Sequence, residues 1–130
     1  MTEPTHQAME GDAALPATDN ASLDRLKRFG GGKLLGEMIA LFLASAPERL
    51  AAAHAGFVSQ DARAVEMALH SLKSSSAQLG ALRMQRICEH GEGLAKAGTL
   101  TEVSSLLQLL NEEFPRVQEW LERARQTEVA

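Results

Sequence analysis

Apolar residues recur at intervals of three and four along most of this chain, the period of a helix with one buried face. Between Ala62 and Gly80 the pattern is sharpest. Val65, Leu69 with Ala68, Leu72, Ser76 and Leu79 form an apolar-to-small stripe, and Glu66, Met67, His70, Lys73, Ser74 and Ala77 form the opposite face. Leu35, Met38 with Ile39, Phe42, Ala46, Leu50, Ala53 and Phe57 predict a long helix from Lys33 to about Ser59. Met84, Ile87, Cys88, Leu94 and Ala95 predict another over Leu82 to Ala97. Leu100, Val103, Leu107, Leu110, Phe114, Val117 and Leu121 predict the last. Period-two alternation, the mark of a half-buried strand, is absent.

Capping and breaking residues set the boundaries. Ser22 is placed to cap a short first helix with Leu23, Leu26 and Phe29 turned inward, and Gly30-Gly31-Gly32 ends it as a hinge. A phosphate-cradling loop would need a preceding strand and a G-K-[ST] ending, which Gly32-Lys33-Leu34 does not supply. Pro47 predicts a kink or restart near Ser45, and Pro115 a bend or a split in the last helix. Asp61 is a good N-cap for the central helix and Gly80 its stop. Gly91 falls on the buried side of the next helix, so either another backbone comes close there or that turn is weak. Gly98 ends this helix, Thr99 or Thr101 starts the last, and Gln126 to Ala130 fray. The fold expected is all-α: an up-down-up-down antiparallel four-helix bundle with a short additional N-terminal helix. Residues 1–20, with Pro4, Gly11, Pro16 and no periodicity, read as a disordered tail in which His6 is incidental, leaving 21–125 as the bundle domain.

Composition narrows the function classes. The 130 residues leave room for one core, and with four Phe, one Trp and no Tyr that core rests on Leu, Ala, Met and Val, which suits close-packed helices. A net charge of −4 without a basic cluster argues against nucleic acid as partner. The single cysteine excludes an internal disulfide and fits a reducing compartment. No apolar run of membrane-spanning length and no signal-peptide layout is evident, so the expectation is a soluble cytoplasmic monomer without membrane contact.

His70 projects outward in the helical reading, with Lys73 and Ser74 beside it at three and four residues on. The run H-S-L-K-S-S-S-A-Q-L-G resembles the signature of the histidine-containing phosphotransfer (HPt) domains of two-component phosphorelays, roughly H-x-L-K-G-S-S-x-x-L-G. Similar flanking patterns run from about Leu23 to the last helix. The resemblance implies a phosphoryl carrier rather than an enzyme. His70 would accept the phosphoryl group and exchange it with an aspartate of a receiver domain, with a response regulator or hybrid sensor kinase as partner. No cofactor of its own is implied, and the metal ion is expected on the receiver. An unstructured tail starting at Met1 leans toward a free-standing carrier.

Lys73 then stands as a point charge near the phosphoryl oxygens. His70 and Glu92 lie equally far from the turn at Ala81, so they fall at one height on neighbouring helices. In related HPt domains a Gln or Glu at this spacing holds the histidine; a carboxylate on Nδ1 would leave Nε2 as the nucleophile. The partner surface is expected on Met67, Ser74, Ala77 and Gln78. Ser74 replaces the family's glycine and predicts altered partner choice. It also keeps open an HPt-like module that inhibits a kinase or receiver without carrying phosphate. A third reading, a metal-binding bundle using His70, Cys88, His90 and Glu92, is disfavoured because Cys88 and His90 point about 200° apart on a helix; no metal ligands are assigned.

Overall fold

A computed structural model describes residues 16–129, and among them every regular element is a helix. Helix α1 spans Asn20–Val58, α2 Ala62–Leu79, α3 Leu82–Lys96 and α4 Leu100–Val129. Each helix packs on its chain neighbour and α1 closes the ring against α4, so the four enclose one core. The connections, residues 59–61, 80–81 and 97–99, are too short for anything but antiparallel neighbours. The expected bundle is present. Of residues 1–20, expected as a disordered tail, 1–15 lie outside the described residues, whereas 16–20 are described.

The core is aliphatic. Ile39, Val65, Leu69, Leu72, Met84, Val103, Leu110 and Leu121 are fully buried, joined by Leu106, which the sequence stripe missed. Asp61 caps α2, its carboxylate accepting from the Ala64 N–H at 3.1 Å, and Gly80 ends it at φ 85°. A side chain on Gly80 would also strike the Asp19 carbonyl at 2.6 Å, so glycine is required there twice over.

The start of α1 differs from expectation. Asp19, not Ser22, is the N-cap, accepting from the Ala21 N–H at 3.0 Å, while the Ser22 hydroxyl donates to Asp19 at 3.2 Å. The chain ahead of the cap is already docked: the Asp19 N–H donates to the Gly80 carbonyl at 2.8 Å and the Arg83 N–H to the Ala17 carbonyl at 3.1 Å. Trp120 Nε1 donates to Asn20 Oδ1 at 2.9 Å and ties the same segment to α4. The short N-terminal helix joins the long one through a single non-helical residue, Gly31, at φ 80° and ψ 177°. Pro47 lies on the exposed face and leaves the dihedrals around it helical, so the break falls at the glycine and not near Ser45. Phe29, expected inward, is 88% exposed because the break follows two residues later and turns its face off the core. By length and composition α1 could also cross a membrane, contrary to expectation. Exposed Ala44, Ala51, Ala52 and Ala55 replace charges on its outer face, and its inner face is the bundle core.

Candidate functional site

His70 stands midway along α2 on the face away from the core, its side chain 60% exposed. The neighbouring Leu69 is fully buried, so the backbone around the histidine is anchored while the ring meets solvent. Opposite it, α3 comes close at Gly91: a side chain there would lie 2.6 Å from Leu69 Cδ1. The close partner is the tip of the Leu69 side chain and not another backbone, an approach that differs from the expected one. The next residue, Glu92, is within reach of His70. Glu92 Oε2 lies 2.6 Å from His70 Nδ1, and its other oxygen, Oε1, lies 2.6 Å from Lys73 Nζ.

The electrostatics of this trio are coherent. Burial acts to raise the Glu92 carboxyl, but hydrogen bonds from Lys73 and His70 outweigh it and hold the group below the usual glutamate range. The Glu92 hydrogen bond in turn holds the Lys73 ammonium above the usual lysine range, against a smaller opposing effect of desolvation. Both groups are therefore charged at neutral pH. An ionised carboxylate can only accept, so Nδ1 of His70 carries a proton, and in the neutral ring the lone pair falls to Nε2. The arrangement offers an accessible nitrogen nucleophile with its tautomer set, and a cation one helical turn away.

The remaining expected residues share this face. Met67 is 58% exposed one turn before His70. Ser74, Ala77 and Gln78 are exposed as α2 proceeds toward Gly80. Beside them, the Ser75 hydroxyl donates to the Ser71 carbonyl at 2.8 Å. Gln78 borders two depressions not foreseen. One, of about 170 Å³, is lined by Leu41, Ser45, Arg49 and Ser75 among others. The second, of about 520 Å³, is lined by Ser22, Arg25, Leu26, Arg28 and Phe29. Leu41, 69% exposed, was hidden in the sequence because it adjoins the buried Phe42; Phe29 was hidden because it continued an apolar stripe.

The metal reading finds no support in the geometry. Among the described residues no three His, Cys, Asp or Glu side chains are placed to hold an ion, and Cys88 is buried while His70 is exposed. His90 is half-buried and borders a shallow depression with Arg86, Glu89, Gly93 and Leu94. His54 pairs instead with Asn111 at 3.0 Å across to α4.

Comparison with known proteins bears on the fold and the family. The family model described as Hpt domain matches residues 37–127. Among solved structures, the chain is similar to histidine-containing phosphotransfer protein B (HptB) from Pseudomonas aeruginosa PAO1. The TM-score is 0.82 at 26% identity, covering 87% of this chain and 97% of that one. No curated protein matches.

Proposed function

The chain belongs to the Hpt domain family, and from that membership we propose that it is a phosphorelay carrier that takes a phosphoryl group on His70 Nε2. The carrier exchanges that group with the aspartate of a receiver domain on a response regulator or hybrid sensor kinase. The observation that carries the reading is the 2.6 Å contact between Glu92 and Nδ1, which leaves Nε2 as the nucleophile on an exposed face. Lys73 supplies positive charge for the phosphoryl oxygens, and the receiver supplies the metal ion and the second residue of the exchange. The partner lies across Met67, Ser74, Ala77 and Gln78. Exposed Leu41 and Phe29, bordering the depressions that meet at Gln78, add the apolar contacts a transient interface uses. The carrier works as a cytoplasmic monomer whose domain runs to about residue 125.

The test is phosphoryl transfer from a panel of phosphorylated receiver and kinase domains, with His70→Gln alongside. Acid-labile label on the unaltered protein and none on the variant is the expected result. Binding of a receiver without any label on His70 would overturn the carrier role in favour of an inhibitory module.

A further inference from the structure

Glu92 serves two neighbours with separate oxygens, Oε2 to His70 Nδ1 and Oε1 to Lys73 Nζ, both at 2.6 Å. The cation nearest the histidine is therefore engaged before any phosphoryl group arrives. It also feels the carboxylate of Glu89, one turn earlier on α3. Nucleophilic attack uses the neutral ring, and in that form Lys73 offsets the charge of Glu92.

Phosphorylation changes that charge balance. The Nε2 lone pair attacks the phosphorus of an aspartyl phosphate. The N–P bond forms as the P–O bond to the aspartate breaks, and the electron pair departs on the aspartate carboxylate. Nδ1 keeps its proton, so the ring becomes an imidazolium bearing a phosphoryl dianion. The counter-charge for Glu92 now comes from the ring itself, and a second anion has appeared on the Lys73 side. Lys73 reaches it by rotation of a flexible four-carbon stem, since positions three apart on a helix share a face.

We propose that Glu92 is a positioning residue that exchanges its cation during the reaction, releasing Lys73 to the phosphoryl oxygens as His70 becomes cationic. The proposal rests on the carrier reading above. Its second consequence concerns the outgoing step. With the ring proton held on Nδ1, phosphoryl departs from a cationic ring and leaves neutral imidazole, a far better leaving group than an imidazolate. The charge of Glu92, and not merely its acceptor oxygen, is then needed for donation.

Isotope-labelled protein treated with potassium phosphoramidate, which phosphorylates histidine with loss of ammonia and needs no partner, tests this directly. Phosphorylation of His70 is expected to move the Lys73 Nζ and Cε and the Glu92 carboxyl NMR signals, with the ring proton retained on Nδ1; His70→Gln shows none of these changes. Glu92→Gln keeps an oxygen to accept from Nδ1 but carries no charge. It is expected to show Lys73 signals already displaced before phosphorylation and to donate to a receiver more slowly by roughly tenfold or more, the effect of losing a charge-assisted hydrogen bond. Unmoved Lys73 signals in the phosphorylated protein, or undiminished donation by Glu92→Gln, overturn the exchange and leave the carrier role standing. Failure of His70 to take phosphoryl from either phosphoramidate or any receiver overturns both.

Discussion

Gly91 of α3 faces Leu69 of α2 so closely that a Cβ on the glycine would stand 2.6 Å from Leu69 Cδ1. The next residue on each helix, Glu92 and His70, makes the 2.6 Å hydrogen bond of the site. Close approach in the core and contact at the surface are thus one register, read at consecutive positions.

Gly91 and Gly93 should consequently respond in opposite directions to the same substitution. Alanine raises helix propensity by about 1 kcal/mol at either position. At Gly93 nothing lies within 4 Å of the added methyl, so Gly93→Ala is expected to stabilise the fold by up to about that amount. At Gly91 the methyl meets a fully buried leucine, and overpacking of about 1–3 kcal/mol exceeds the gain. Urea unfolding of the two variants checks the signs, and the His70 ring signals should be disturbed only by Gly91→Ala.

Ser74 is exposed in mid-α2, one position beyond Lys73. Ser74→Gly is expected to cost up to about 0.5 kcal/mol of stability through lost helix propensity. It should nevertheless raise the rate of phosphoryl transfer from a receiver, because the removed hydroxymethyl group stands on the face proposed for the partner. Equal rates for the two proteins would show that the serine does not restrict access.

Glu113 is a buried acid on α4, 2% exposed, with Oε1 paired to Arg116 at 3.3 Å and Oε2 without a partner. Burial raises its pKa above the ordinary 4.5, against the opposing charges of Arg83 and Arg116. For an acid raised on folding, the stabilising contribution is complete below the unfolded value and is lost as pH rises through the folded one. Glu113→Gln is expected to flatten that part of the stability profile and to increase stability at pH 7 by on the order of 1 kcal/mol. Thermal unfolding between pH 4 and 8 reads both effects, and a variant less stable at pH 7 would mean that the pairing with arginine outweighs burial.

Cys88 is fully buried on α3, and burial, with the Glu92 charge adding to it, pushes its thiol up to about 12. The thiolate is the reactive form, so native protein at neutral pH should react with Ellman's reagent only through unfolding. Labelling in native buffer is expected to be slower by orders of magnitude than in denaturant, and to accelerate in Gly91→Ala. Rapid native labelling would show local opening of α3.

Much of this molecule was legible one helix at a time. The stripe from Val65 to Leu79 sorted α2 into a buried face and a face bearing His70, because helical period alone decides which side chains point together. Asp61 and Gly80 marked the ends of α2 for reasons of local backbone chemistry. Even the pairing of His70 with Glu92 could be expected, since a tight turn at Gly80 and Ala81 sets the height of residues on either side. What lay beyond the sequence were relations among more than two helices or across a break. Phe29 carried the period of a core residue, yet its helical segment breaks at Gly31 and the ring stands in solvent. Asp19 displaced Ser22 as cap because the preceding chain is pinned to Gly80 and Arg83, contacts from distant parts of the sequence. Glu113 was buried by its neighbours and not by its own polarity. The same limit held at the site itself. Periodicity placed Lys73 beside His70 and spacing placed Glu92 opposite, but that one carboxylate holds both depends on how near α3 comes to α2. At Gly91 the Leu69 side chain fills the space a Cβ would need, a fit that only packing in three dimensions decides.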